Sequence, residues 1–566
     1  MCGIFFSIGV GRSSALEAFD KLKHRGPDST ISIFDDNNCT FIGFHRLAIQ
    51  DLKLSASQPF WSKSRNSLVL FNGEIYNTKI LIERYLKNES LTTKSDTEVV
   101  VELIEKIGLK ETISSLEGMF AIVYMNMTSG ETTFIRDYFG SKRLYWTRYL
   151  DSFIASSEIP PLLDINGSHS VNEKAVLSWL NHDLIDFSEQ TFFRDIFELP
   201  PGHILTRNHM GEVHLEDWRT SCQRLSHNDE VDMHNLEKLI DECIQQAMIG
   251  ESSRGVLLSG GIDSSLLFNV SRKIDPSVVA LSVDWTDSDY SERRFIHSLS
   301  KPSTHYCVDG FSIDFSTRLE ASLTHYAQPF GSPFVLCLED LFELAQQKGI
   351  RILLDGNGLD ELFFGYDKYR INRKNKNQTI SQDGTLGVRR NIIARDFLSG
   401  SSIQSQALQE LGSQRDFDLF HGKIPRALRY SDQASMKFGR ELRVPFLNRS
   451  LFDFANSMPE VSMYDAELGK MPIRKILENK IGPNPYIYAK KRSLQTPVRE
   501  WFQTSWRPWV LNEIRESPLI DLGWINYQAF VSEYDAYQQS FDIKTSNSLF
   551  LWQWLSLAIW SRLFVK

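Results

Sequence analysis

Across the first two hundred or so residues, apolar positions recur in short runs. Residues 3–10, 29–34, 40–51, 67–71, 119–126, 132–137 and 152–155 are rich in β-branched or aromatic side chains and are bounded by Gly, Asn or Asp. This pattern predicts strands. Three stretches, 14–22, 79–88 and 96–107, carry a helical rhythm instead. In the last, apolar residues fall at 99, 100, 103, 104 and 107, along one helix face. Strands in runs with segregated helices predict a layered α+β domain. Residues 207–235 are polar and irregular and read as a linker. Beyond it the rhythm changes. A helix over 235–248 leads into a strand at 254–258, a Gly/Ser turn and a further helix. Residues 278–285, 304–308 and 350–354 read as further strands with helices between them. Such alternation predicts a parallel sheet covered on both faces. Residues 371–385 are polar and read as a mobile loop, and 386–566 reads as helical. No internal repeat is visible.

Composition narrows the function classes. The chain has 566 residues, 42% of them hydrophobic and 23% charged, which fits globular domains and excludes a disordered chain. The net charge of −9 argues against a nucleic-acid binder, which needs a basic face. Six cysteines, at 2, 39, 222, 243, 307 and 337, are too sparse for a disulfide scaffold and form no CxxC pair. They predict reduced thiols and a cytoplasmic protein. No basic segment precedes the first apolar run, so no signal peptide is expected. The most apolar stretch, 549–565, contains Gln553, Ser556, Ser561 and Arg562. It is too polar and too short to span a membrane and reads as a buried terminal helix.

Two constellations carry chemistry. The chain opens Met1-Cys2-Gly3-Ile4. Removal of Met1 would put a free α-amine on the residue that bears the thiol, and that amine can serve as its base. Then come His24-Arg25-Gly26-Pro27-Asp28, His45-Arg46-Leu47, Phe71-Asn72-Gly73-Glu74, Ser95-Asp96-Thr97-Glu98, Arg136-Asp137-Tyr138-Phe139-Gly140 and an LPPGH run at 199–203. An Asn-Gly pair alone would read as a hairpin turn. In this order the series resembles class II glutamine amidotransferases, the N-terminal-nucleophile glutaminases, over residues 2 to about 205. The resemblance implies that Cys2 attacks the glutamine amide and that Asn72 and Gly73 hold the oxyanion. It further implies that Arg46 takes the substrate carboxylate, that Asp96 takes the α-ammonium and that Glu74 helps to position it.

The second constellation follows the strand at 254–258. Leu258-Ser259-Gly260-Gly261-Ile262-Asp263-Ser264-Ser265 turns into a helix. The glycines let backbone N–H groups face one concavity, and the hydroxyls and helix N-terminus add donors, which makes a phosphate site. The P-loop lysine is absent. The run resembles the SGGxDSS loop of ATP pyrophosphatases, which cleave ATP between the α and β phosphates. The resemblance adds Val283 and Gly356 to the ATP-binding set and makes Asp263 and Asp360 the Mg2+ ligands. A hard cation on pyrophosphate takes one or two carboxylates plus waters. Arg440-Glu441-Leu442-Arg443-Val444-Pro445-Phe446-Leu447 matches a family segment at the edge of this site. Lys491, in Lys490-Lys491-Arg492, aligns with the family's active-site lysine; a Lys-Lys-Arg run on its own would read as a solvated basic patch.

Together the two halves resemble the asparagine synthetase family. The implied fold is an Ntn-hydrolase-type αββα domain over 1–206, a linker over 207–235, and an α/β ATP-pyrophosphatase domain with a helical C-terminal part over 236–566. The implied reaction uses glutamine, ATP and a small carboxylic acid. Adenylation releases pyrophosphate, and ammonia from glutamine then displaces AMP. The resemblance implies a homodimer, with neither nucleic acid nor membrane as partner. One departure concerns the acceptor. The family loop reads SGEGxDE or SGDGxDE, whereas this chain has Asp355-Gly356-Asn357-Gly358-Leu359-Asp360-Glu361. Asn357 and Glu361 are thus the acceptor-site candidates. The familiar Asp-Glu-Pro is Ala327-Gln328-Pro329, and the Phe after the lysine is Leu494. Aspartate is the acceptor by resemblance; a uronic acid sugar or a natural-product acid is the alternative. A ring-forming synthetase or an inert relative fits poorly with an intact Cys2, Asp263 and Asp360.

Overall fold

The strand Gly3–Ile8 is buried on both faces, and its alternation assigns each side chain to a layer. In this computed structural model, which describes residues 2–166, 170–221, 232–286, 288–371, 389–399, 413–490, 496–542 and 546–565, Ile4 and Phe6 point inward. They pack on Leu68, Leu70, Ala121 and Val123 of a second sheet. Phe5 points outward onto Ala15, Ala18 and Phe19 of the helix Arg12–Asp20. The first sheet runs, edge to edge, Ile196–Glu198, Tyr145–Tyr149, Ser152–Ser156, Gly3–Ile8, Thr40–Arg46 and Ser29–Asp35. The second runs Val213–Asp217, His203–Arg207, Thr132–Arg136, Gly118–Asn126, Ser67–Ile75 and Phe60–Trp61. All pairings within both are antiparallel. The outer face of the second sheet is covered by Asp96–Ile107, whose Val99, Val100 and Leu103 pack on Val69 and Phe71. The layering is the expected αββα.

One boundary and one strand end need correction here. The boundary expected at 206 falls inside a hairpin: Val213–Asp217 pairs with His203–Arg207, so the sheet extends to Asp217. The intervening Asn-His-Met-Gly turn closes through Gly211 at φ +83°. The strand expected over 67–71 continues to Ile75, so the Asn72-Gly73 pair lies mid-strand, facing Ala121 and Phe120. A side chain on residue 73 would run into the Met119 carbonyl, its Cβ only 2.0 Å away, so glycine is required by close approach. Residues 371–385, expected as a loop, fall largely outside the described residues, as do Lys491 and Leu494.

The second half is built on a five-stranded parallel sheet, ordered His305–Asp309, Val279–Asp284, Arg254–Leu257, Ile352–Leu354 and Glu441–Arg443. The last strand lies in the region expected to be helical. Three residues carry too little periodicity to signal a strand, and the register of Leu354 with Arg443 is a tertiary fact. One sheet face packs Val256, Ala280, Ile352 and Leu354 on the helices Met233–Ala247 and Ile262–Ile274. The other packs Leu281, Leu353 and Leu442 on Phe334–Gln347 and Lys423–Lys437. The terminal helix Leu549–Phe564 is buried as expected. Its Trp552 and Trp560 donate to the carbonyls of Phe330 and Ala327, both at 2.8 Å, and Gln553 donates to Trp179 of the N-terminal half. No helix among the described residues is long and apolar enough to cross a membrane.

Candidate active sites

Cys2 immediately precedes the strand Gly3–Ile8 and is buried in the core between the two sheets. Its backbone nitrogen donates to Asn72 Oδ1 at 2.8 Å. That bond consumes the amide oxygen and turns Asn72 Nδ2 the other way, where it is buried with no partner. A buried amide donor without an acceptor is a cost unless a ligand satisfies it. Together with the adjacent Gly73 backbone it is suited to receive an oxyanion. Burial pushes the Cys2 thiol above its ordinary pKa, so a nearby base is required for attack. Removal of Met1 would make the nitrogen beside Asn72 that base.

A pocket opens beside Cys2, lined by Arg46, Leu47, Gln50, Gly73, Glu74, Asp96 and Glu441. Arg46 donates to the carbonyls of Lys53 (2.7 Å) and Asp51 and to Ser57 Oγ, so it organises the loop roofing the pocket. Two of its five donors remain for a substrate carboxylate. Asp96, in the first turn of its helix, accepts from Ile75 N at 3.1 Å. Burial, reinforced by the charge of Glu441, raises its pKa to about 6. Glu74 accepts from Gln50 and from Arg443, the latter at 3.0 Å, and burial raises its pKa well above the carboxylate range. Sequence reasoning placed Glu441 at the edge of the other site. The structure instead puts it in the glutamine-side pocket, tied to Arg443 Nε at 2.6 Å. Arg443 is fully buried and bridges Glu74 of one half to Glu441 of the other. We expect Asn72→Ala to lower the turnover of glutamine by about 10²–10³-fold with little change in KM, as loss of one oxyanion donor does. Steady-state glutaminase kinetics check this, and a pure KM effect would refute the oxyanion assignment.

In the second half, Ser259 to Ser265 leave the carboxyl end of a central strand, where open parallel sheets bind ligands. Gly260 has φ +69°, and Gly261 caps the helix Ile262–Ile274 without a side-chain bond, leaving its first N–H groups open. Ser259 and Ser264 hydroxyls lie 3.2 Å apart, and Ser265 Oγ is buried without a partner. Leu258 donates to Leu281 O at 2.8 Å, and Val283 lies on the neighbouring strand. Gly356 abuts the loop, its would-be Cβ 3.1 Å from Ser264 N. Asp263 and Asp360 converge as expected, but on a residue that was missed. Lys470 Nζ lies 2.8 Å from Asp263 and 2.6 Å from Asp360. Its backbone is left-handed, φ 58°, at the start of Met471–Ile481, a strained conformation for a lysine. The two carboxylates therefore face one cation position, and their hard oxygens suit Mg2+. Asp355, two residues before Asn357, accepts from Asn357 Nδ2 at 2.7 Å. Burial raises its pKa to about 6. Glu361 is buried.

Comparison with known proteins agrees with this division. A glutamine amidotransferase domain model matches residues 1–218, and an asparagine synthase model matches residues 235–562. Asparagine synthetase [glutamine-hydrolyzing] 1 of Bacillus subtilis (strain 168) is 24% identical over 549 residues, covering 87% of this chain and 85% of that protein. A probable asparagine synthetase [glutamine-hydrolyzing] of Acanthamoeba polyphaga mimivirus is 26% identical, covering 88% and 86%. Amidase chry2 of Gibberella zeae is 25% identical, covering 83% and 74%. Because the synthase match alone spans more than half of the chain and contains both the nucleotide loop and the paired carboxylates, this protein belongs to the asparagine synthase family.

Proposed function

We propose that this chain is a glutamine-dependent amidotransferase that adenylates a carboxylic acid with ATP and amidates it with ammonia released at Cys2. The observation that carries this reading is the pairing of two prepared sites in one chain. One offers a thiol beside an orphaned amide donor; the other offers an open helix N-terminus beside two convergent carboxylates. In the first, Cys2 Sγ attacks the glutamine amide carbon, Asn72 and Gly73 hold the oxygen, and the α-amine carries the proton to the departing ammonia. Arg46, Asp96 and Glu74 orient the amino acid end. In the second, Ser259, Gly260, Gly261, Ser264 and Ser265 bind the phosphates. Asp263 and Asp360 would hold Mg2+, which when bound neutralises the leaving pyrophosphate. Lys470, already between these carboxylates, orients them, and Lys491 is proposed as a further cation at the adenylate.

Aspartate is the acceptor that the relatives' names suggest. A second reading, a different acid, draws on two observations. Asn357 cannot take a proton, and its side chain instead donates to Asp355. A cleft lined by Tyr290, Ser332, Phe334, Thr496, Arg499 and Trp552 has aromatic walls and one guanidinium, which suits an acid with a larger body. We assign to Asp355 the proton-accepting role at the incoming amine. Asp355→Asn should slow ammonia-dependent amide formation about 10²–10⁴-fold, the range of a lost general base, and leave glutaminase activity intact. Because Asp355 is protonated below its raised pKa, the wild-type rate should fall as pH drops through about 6, and the variant should lose that limb. Pyrophosphate release across a panel of acids tests the acceptor. Aspartate alone as substrate would remove the second reading, and no release with any acid would sink the enzyme.

A further inference from the structure

Where the two halves meet, behind Cys2, three side chains from separate elements converge. His24 lies in the turn Lys23–Arg25, Glu158 follows the strand Ser152–Ser156, and His325 is near the end of Phe315–Tyr326 in the synthetase half. One ligand atom from each lies within 4.8 Å of the other two. We propose that His24, Glu158 and His325 form a binding site for a zinc-class divalent cation that staples the two halves together.

The donor set comes first. Two imidazoles and one carboxylate match Zn2+ and related transition metals, whereas Mg2+ and Ca2+ prefer all-oxygen shells. His24 Nε2 is 3.0 Å from Glu158 Oε1, and the two imidazole rings meet edge to face with centroids 4.5 Å apart. The second observation is independent of that cluster geometry. His325 Nε2 is sealed from solvent and has no hydrogen-bond partner. An orphaned ring nitrogen inside a protein is expensive, and a metal removes the cost. Burial also pushes the His325 pKa down to about 3, so the ring is neutral at ordinary pH, the form that binds a metal. Glu158 is held ionised despite its burial by His24 and Arg25.

Charge balance permits a dication. Arg25 donates to Glu158 Oε1 at 2.7 Å and to Asp432 at 3.1 Å, so its charge lies between two carboxylates. Oε1 is thus shared by Arg25 and His24, and Oε2 is left for the ion. His24 is 24% exposed, which gives an entry path and a fourth position for water. Arg25 Nε also donates to the Cys2 carbonyl at 3.2 Å. A metal that fixes Glu158 therefore stiffens the backbone of the nucleophile as well as the junction of the halves.

The full chain should be stripped with a chelator, loaded with Zn2+, desalted and assayed for metal. Wild type should keep one equivalent, His325→Ala and His325→Gln should keep none, and metal should raise the wild-type melting temperature only. Co2+ loading of wild type gives a readout that needs no variant: d–d bands without thiolate charge transfer support His and carboxylate ligands. No retained metal, equal retention in the variants, or a thiolate charge-transfer band would each overturn the site.

Discussion

Cys2→Ala should lower glutamine hydrolysis by about 10⁴-fold or more, the scale on which loss of a nucleophile acts, while amide synthesis from added ammonia continues. The structure explains why the loss should be so selective. The substitution removes only Sγ, whose one polar contact is a long one, 3.9 Å, to Leu47 O. The backbone of residue 2 keeps its bond to Asn72 and continues to receive Arg25. Arg25 in turn keeps Asp432 of the synthetase half. The ties between the halves thus survive, and nothing in the nucleotide loop depends on the thiol. Parallel assays with glutamine and with ammonium salts, read as amide product and pyrophosphate, test this. Loss of both activities would contradict two separable sites, and retention of glutamine hydrolysis would remove Cys2 as nucleophile.

What could be read in advance follows from how local each signal is. The nucleophile, Asn72-Gly73 and the Ser259–Ser265 loop are contiguous, and each carries its own chemistry. Their assembly was therefore legible, as was the helix Asp96–Ile107, which begins at Asp96 with a Ser95 cap. The strand Tyr145–Tyr149 was not legible. It turns into Ser152–Ser156 through Leu150 at φ 52°, where a turn would ordinarily announce itself with Gly or Asn. Glu441 and Lys470 were illegible for another reason. Each acts on groups hundreds of residues away, Glu441 beside Cys2 and Lys470 beside Asp263. The one sequence hint, Gly469-Lys470 before a Pro-containing helix start, signals backbone and not charge. The acid at 355 was visible as a letter, but its bond to Asn357 belongs to the folded loop.

Asp263→Ala should abolish ATP-dependent pyrophosphate release, by more than about 10²-fold, since loss of even an outer partner of a metal ligand reaches that range. Glutamine hydrolysis should be unchanged, because Asp263 stands in the first turn of the helix Ile262–Ile274 and does not line the glutamine-side pocket. The variant also separates two accounts of the paired carboxylates. If they serve only to bury Lys470, removing one leaves a lysine still paired with Asp360 at 2.6 Å, and activity should fall modestly. If they hold a cation on the pyrophosphate, the loss is large, and excess Mg2+ should restore part of it by mass action. Lys470→Met provides the contrast. It removes the cation between the two carboxylates and leaves them mutually repelling, so its defect should shrink as Mg2+ rises. Pyrophosphate release titrated with Mg2+ in wild type and both variants decides between these accounts. A flat Mg2+ response in all three would discard the metal role and leave Asp263 and Asp360 as counter-ions of a buried lysine.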